Sequence, residues 1–218
     1  MTLKVREYEG DGITVRFEPG RCIHAKECVQ GLSSVFDPNR RPWVDPSGAD
    51  ADAIARVVSR CPTGALQFER SDGGPGEEIP GRNSVRIVPD GPLYVRGQLE
   101  IQLPGEDEPR SETRVALCRC GESKNKPFCD DSHYECGFKD TGELEPAPDA
   151  AEAEPATGPL RITPRPNGSL FFEGPTEITS ADGTVRVSTM RRSLCRCGHS
   201  LDKPICDGAH RDAGFEAE

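Results

Sequence analysis

The chain has 218 residues and a formal net charge of -10, with 37 acidic side chains against 27 basic ones, a balance that argues against nucleic acid or an anionic membrane as the main partner. Leu, Ile, Val and Phe supply only about 19% of the residues while Gly (23) and Pro (20) are plentiful, so little apolar burial is available to offset backbone entropy. The ten cysteines are the candidate for what fixes the chain instead, and in a cytoplasmic protein they are expected to bind metal rather than form disulfides. No run approaches the roughly 18 apolar residues of a membrane span, and the first residues lack the apolar stretch of a signal peptide.

In chain order, Ile13, Val15 and Phe17 alternate as in a strand, and residues 51–60 place Ile54, Val57 and Val58 on one face of a helix that Cys61-Pro62 ends. Residues 1–70 therefore form a small α+β module. A Gly-rich linker over 71–83 follows. Beyond it the pairs Val85/Ile87, Leu93/Val95, Leu99/Ile101 and Val115/Leu117 alternate with polar neighbours, giving short strands that lead into a cysteine-bearing loop. A shift of 77 residues carries Leu117-Cys118-Arg119-Cys120-Gly121 onto Leu194-Cys195-Arg196-Cys197-Gly198, Cys129-Asp130 onto Cys206-Asp207, and His133 onto His210. The chain thus holds an internal duplication, residues 84–140 and 159–218, joined by an acidic Pro/Ala-rich linker over 141–158. Turns are expected at Pro89-Asp90-Gly91 and Pro166-Asn167-Gly168.

Each repeat carries Cys-x-Cys-x8-Cys-x3-His: Cys118, Cys120, Cys129 and His133, then Cys195, Cys197, Cys206 and His210. Two cysteines at i and i+2 of an extended segment point to one side, and a Cys and a His at i and i+4 share one face of a helical turn, which Asp130 and Asp207 are placed to cap. Four such ligands suit either one tetrahedral zinc or both irons of a 2Fe-2S cluster, and spacing leaves both open.

The stretches from Cys118 to His133 and from Cys195 to His210 resemble the CDGSH, or NEET, iron-sulfur proteins. The second reproduces Cys-Asp-Gly-Ala-His, whereas the first has Asp131 in the Gly position, a departure that bears on backbone geometry rather than on ligands. The resemblance implies two 2Fe-2S clusters, each held by three Cys and one His, with Cys118 and Cys120 on one iron and Cys129 and His133 on the other, and likewise for Cys195, Cys197, Cys206 and His210. It also implies a mainly β unit in which duplication replaces the family's homodimer by a monomer of pseudo-two-fold symmetry. Neutral imidazole in place of a thiolate makes such a cluster easier to reduce, and a protonatable ligand suggests proton-coupled reduction or cluster release.

Cys22, Cys28 and Cys61, the last followed by Pro-Thr-Gly-Ala, resemble a single-cluster bacterial ferredoxin whose second ligand position is here Ala25. Three thiolates imply a 3Fe-4S cluster, or a 4Fe-4S cluster completed by His24, water or another group. Cys136 is read as a packing residue because its repeat counterpart is Ala213, while His24 and His199 are read as solvent-facing. Trp43 should pack over the first module, Arg191-Arg192 should be a solvated strand end, and Ser123 and Ser200 suit either a bond to cluster sulfur or an ordinary turn. No nucleophile-base pair, phosphate loop or carboxylate dyad is found, so the expectation is a non-enzymatic carrier: intracellular electron transfer with a redox protein, or cluster storage, transfer or sensing, or a zinc-stabilised interaction module.

Overall fold

A computed structural model describes residues 5–146 and 157–218, so most of the predicted acidic linker, residues 147–156, lies outside the described residues. The chain forms two compact units, Met1–Glu78 and Ile79–Glu218, and the boundary falls inside the Gly-rich stretch predicted to be a linker. Both predicted repeats lie in the second unit. The architecture is mostly β with few helices.

In the first unit, strands β1 (Arg6–Gly10), β2 (Ile13–Phe17) and β3 (Leu66–Arg70) make an antiparallel sheet in the order β1-β2-β3. The predicted alternation holds on β2, where Ile13, Val15 and Phe17 are buried and Thr14 and Arg16 are not. Helix α2 (Ala51–Val58) buries Ile54, Val57 and Val58 against this sheet, as its spacing requires, and the Asp50 carboxylate caps it by accepting from the Ala53 N–H at 2.7 Å. A shorter helix, α1 (Glu27–Gly31), carries Cys28. Trp43 packs edge-on against Phe17, with ring centroids 4.8 Å apart, which fulfils the expectation for it.

The second unit is one six-stranded sheet: β4 (Ser84–Ile87), β5 (Leu93–Ile101) and β6 (Arg110–Leu117) from the first repeat, and β7 (Leu160–Pro164), β8 (Leu170–Thr179) and β9 (Arg186–Leu194) from the second. The two long strands are shared. Residues 93–96 of β5 pair antiparallel with β4 and residues 99–101 pair parallel with β7; residues 170–173 of β8 pair antiparallel with β7 and residues 177–179 pair parallel with β4. Each change of partner occurs at a register shift that holds a glycine with positive φ, Gly97 at 147° and Gly174 at 128°. A Cβ at Gly97 would lie 2.1 Å from the Asn83 side chain, and one at Gly174 would lie 2.4 Å from the Pro159 carbonyl, so both positions need the missing side chain. Val85, Leu93, Val95, Leu99 and Val115 meet Leu160, Phe172, Ile178 and Leu194 in a single core, and Leu144, at the start of the predicted linker, is buried with them.

Candidate iron-sulfur centres

Each cysteine loop of the second unit hangs from a strand end. The Cys118 N–H donates to the Pro127 carbonyl at 2.9 Å and the Cys129 N–H to the Ala116 carbonyl at 2.9 Å, so the loop folds back along the end of β6 and sets Cys129 beside the Cys-x-Cys pair. The second loop repeats this with Cys195 N–H to the Pro204 carbonyl at 2.8 Å and Cys206 N–H to the Ser193 carbonyl at 3.0 Å. The two loops meet backbone to backbone through a bridge between Cys120 and Cys197, and Cβ atoms at Gly121 or Gly198 would strike the Cys197 or Cys120 carbonyl at 2.6 and 2.7 Å.

The predicted ligands come together in pairs within each motif. Cys118 and Cys120 Sγ atoms lie 3.6 Å apart, as do those of Cys195 and Cys197; Cys129 Sγ lies 3.4 Å from His133 Nδ1, and Cys206 Sγ lies 3.5 Å from His210 Nδ1. Two thiolates about 2.3 Å from one tetrahedral metal atom would sit roughly 3.8 Å apart, so the Cys-x-Cys pairs are spaced for a common metal atom. A contact between the two thiols draws Cys118 below the ordinary thiol range and holds Cys120 above it, with the same division between Cys195 and Cys197. Burial pushes the Cys129 thiol up to about 12 and lowers His133, so in both it favours the uncharged form, and a neutral imidazole offers one ring nitrogen lone pair to a metal. Soft thiolates with one imidazole suit an iron-sulfur cluster or zinc, and the donor set fits either.

The turn that carries the histidine is held as predicted and also clamped across the loop. Asp130 accepts from the Ser132 N–H at 3.1 Å with one carboxylate oxygen and from the Lys124 N–H at 2.8 Å with the other; Asp207 does so with Ala209 at 2.9 Å and Leu201 at 2.8 Å. Only the first repeat continues as an α-helix, α3 (Ser132–Glu135). Asp131 takes φ 73° where Gly208 takes 94°, so the departure from Gly keeps the left-handed backbone, which Asp tolerates better than most residues. The Ser123 and Ser200 hydroxyls donate to the carbonyls of Phe128 at 2.6 Å and Ile205 at 2.7 Å, which is the ordinary turn role.

Sequence reasoning missed Arg119 and Arg196, which lie between the paired cysteines and are only 1–2% exposed. Arg119 reaches back to the β4–β5 turn, donating to the Gly91 carbonyl at 2.7 Å and the Val88 carbonyl at 2.5 Å, pairs with Asp140 at 2.5 Å and lies over the Phe138 ring. Arg196 donates to Gly168 at 3.0 Å and Arg165 at 2.7 Å in the β7–β8 turn and lies over Phe215. The signal was present: the same Arg stands between the paired cysteines in both copies. Cys136 corrects an expectation, since it is exposed rather than packed; its Sγ reaches the His133 carbonyl at 3.7 Å from the surface. His199 is exposed, and Arg191 is exposed and paired with Glu173 at 2.7 Å.

In the first unit Cys22, Cys28 and Cys61 line one cavity of about 760 Å³ together with His24, Ala25 and Trp43. Cys22 follows a 3-10 turn (Pro19–Arg21), Cys28 sits on α1, and Cys61 lies just past α2. Burial, with Cys61 and Cys22 nearby, pushes Cys28 up to about 11. Arg21 is buried beside Cys22 and donates to the Thr63 carbonyl at 2.7 and 3.1 Å, tying the Cys22 turn to the Cys61 loop. His24 is exposed at the cavity rim.

Two family descriptions match this chain. "Iron-binding zinc finger CDGSH type" matches residues 90–134 and again 167–211. The chain carries two tandem CDGSH-type iron-binding domains. Ahead of the tandem CDGSH domains stands a domain that matches "Divergent 4Fe-4S mono-cluster" over residues 8–71. Its N-terminal region is 36% identical over 63 residues to Uncharacterized protein YjdI of Escherichia coli (strain K12), a match that spans 29% of this chain and 83% of that protein; YjdI of Escherichia coli O157:H7 matches equally. The CDGSH protein is thus an iron-sulfur binding protein. No helix among its described residues is long and apolar enough to cross a membrane.

Proposed function

We propose that this CDGSH protein is a three-cluster electron carrier, with 2Fe-2S clusters on Cys118, Cys120, Cys129 and His133 and on Cys195, Cys197, Cys206 and His210. The observation that carries the reading is the matched pair of loops, each of which brings two thiols to 3.6 Å and sets a third thiol 3.4–3.5 Å from an imidazole. Such clusters supply reversible one-electron uptake, and His ligation raises their potential relative to all-cysteine sites. The chain's own residues hold the ligands still. Arg119 and Arg196 bind each Cys-x-Cys segment to a β-turn, and Asp130 and Asp207 fix each His-bearing turn, so reduction would require little rearrangement. The exchanged pairing of β4 with β8 and of β7 with β5 supports a pseudo-two-fold relation between the repeats, with duplication standing in for a dimer.

In the ferredoxin-like first unit, Cys22, Cys28 and Cys61 would hold a 3Fe-4S cluster, since Ala25 cannot ligate iron. The family description favours a second form, 4Fe-4S with a non-cysteine fourth ligand. An acidic surface suits a redox partner with a basic docking patch, and the cytoplasm, which keeps thiolates reduced, is the setting this function requires. Storage or transfer of clusters is a second reading, favoured by the partial exposure of Cys206 and His210. Iron and sulfide analysis with EPR and Mössbauer spectroscopy of anaerobically prepared protein tests the proposal: two His-ligated 2Fe-2S signals and one cubane-type signal are expected, whereas zinc alone would refute it. Rapid turnover with a reductase and no delivery to an apo-acceptor separates carrier from donor.

A further inference from the structure

The two CDGSH motifs differ where a charge matters most. In the first, an Asp131 carboxylate oxygen, Cys129 Sγ and a His133 ring nitrogen all lie within 4.8 Å of one another. The second has Gly208 in that place. Cys129 and His133 are buried, while Cys206 and His210 are half-buried. Both differences have the same sign, because a one-electron reduction adds negative charge, which burial and a close carboxylate oppose.

The opposing differences lie among exposed charges: Lys124 stands where the second repeat has Leu201, Asn125 where it has Asp202, and Lys124 and Asp202 both face solvent. Arg196 faces Cys118 as well as Cys197, so its field is common to both sites. The Arg119 charge is matched by Asp140. Lys139, where the second repeat has Glu216, is largely exposed and paired with Asp90 at 2.8 Å, and exposed charges of this kind are screened by solvent.

We propose that the tandem motifs are unequal redox sites: the Cys195/Cys197/Cys206/His210 site accepts an electron first, and Asp131 keeps the Cys118/Cys120/Cys129/His133 site at lower potential. The inference rests on the two-cluster reading above. The step is the transfer of one electron from a low-potential one-electron donor, such as a reduced flavin, to one ferric ion of the second site, with no bond made or broken. An electron held by the first site then runs downhill to the second, which gives the protein a direction.

The test is a dithionite titration of the full chain, followed by the EPR signal of the reduced 2Fe-2S centres. Two separate waves are expected. Asp131→Asn, which keeps shape and removes charge, should raise only the lower wave, by about tenfold in the reduction equilibrium, or about 59 mV for one electron. Gly208→Asp should lower only the upper wave; the site has room, and Asp131 already adopts the matching backbone. A single wave in the parent chain, or two waves that neither substitution moves, would overturn the inference while leaving the clusters in place. Absence of any 2Fe-2S signal would overturn the cluster reading and this inference with it.

Discussion

Arg21, Arg119 and Arg196 each adjoin a cysteine, and each is almost wholly buried. A buried guanidinium is tolerated because its fork of donors is satisfied by main-chain carbonyls, which in turn fixes the cysteine beside it. Replacing Arg196 by Lys keeps the charge but cannot reach both the Gly168 and Arg165 carbonyls with the same geometry. Leaving one carbonyl unpaired costs about 1–3 kcal/mol, so Arg196→Lys should lower the unfolding midpoint and hasten bleaching of visible absorbance from the second motif. A variant with wild-type midpoint and bleaching rate would show that the fork is not needed. Ser123→Ala tests a smaller bond: loss of the hydroxyl that donates to Phe128 and accepts from the Asn125 N–H should cost about 1–2 kcal/mol in denaturant unfolding. These roles separate what could be read in the sequence from what could not. The ligand candidates stood out because few chemistries need Cys-x-Cys-x8-Cys-x3-His, and in both loops the last Cys and the His do lie side by side. The arginines recur in both copies, but their role was not legible because a charged residue is usually at the surface, and only the fold shows which turn Arg119 reaches.

At the scale of elements, period-two alternation revealed β2, β4 and β5 because each has one face on a core, and it marked β6 through Val115 and Leu117 although the last four residues of that strand are all buried. It could not reveal β1, where no residue is buried, or the five-residue α1, which is too short for a helical period. Nor could it show that β5 and β8 change partners midway, since the alternation on one strand is the same whichever neighbour it pairs with. Asn83 sits at that exchange. Its side-chain amide donates to the Gly158 and Pro175 carbonyls at 2.9 and 2.8 Å and accepts from the Gln98 N–H at 2.9 Å. Asn83→Ala should therefore destabilise the second unit by roughly 2–4 kcal/mol, read as a lower urea midpoint, because three main-chain groups lose one shared partner. The β8–β9 connection carries a pH dependence instead. The Ser180 and Thr184 hydroxyls and the Thr184 N–H hold the Asp182 carboxyl below its usual range. A depressed folded pKa means stabilisation that is complete above the unfolded value, about 4, and is lost as pH falls through the folded one. The difference in melting temperature between the parent chain and Asp182→Ala should accordingly be larger at pH 7 than at pH 3, and an equal difference at both would show that the charge is not responsible.

On the whole-molecule scale, a chain with so few large aliphatic residues divides them between two separate cores, one in each unit, with cysteine sites at the margins of both. Metal ligation adds folding free energy that cores of this size do not supply alone, so the unit that loses its iron should be the unit that loosens. Because the cores share no buried residue, the losses should also be independent. Cys28→Ser removes one of three thiols that line the first unit's cavity and should take all of that unit's iron with it, leaving the iron of the second unit in place. The deficit in iron per chain then counts the first cluster: three irons for 3Fe-4S, four for 4Fe-4S. Cys129→Ser should do the converse, removing two irons from the second unit and lowering protection against amide exchange in β6, whose Ala116 carbonyl accepts from the Cys129 N–H, while α2 keeps its protection. Loss of iron or protection in both units from either single substitution would show that the two are coupled rather than independently fixed by metal.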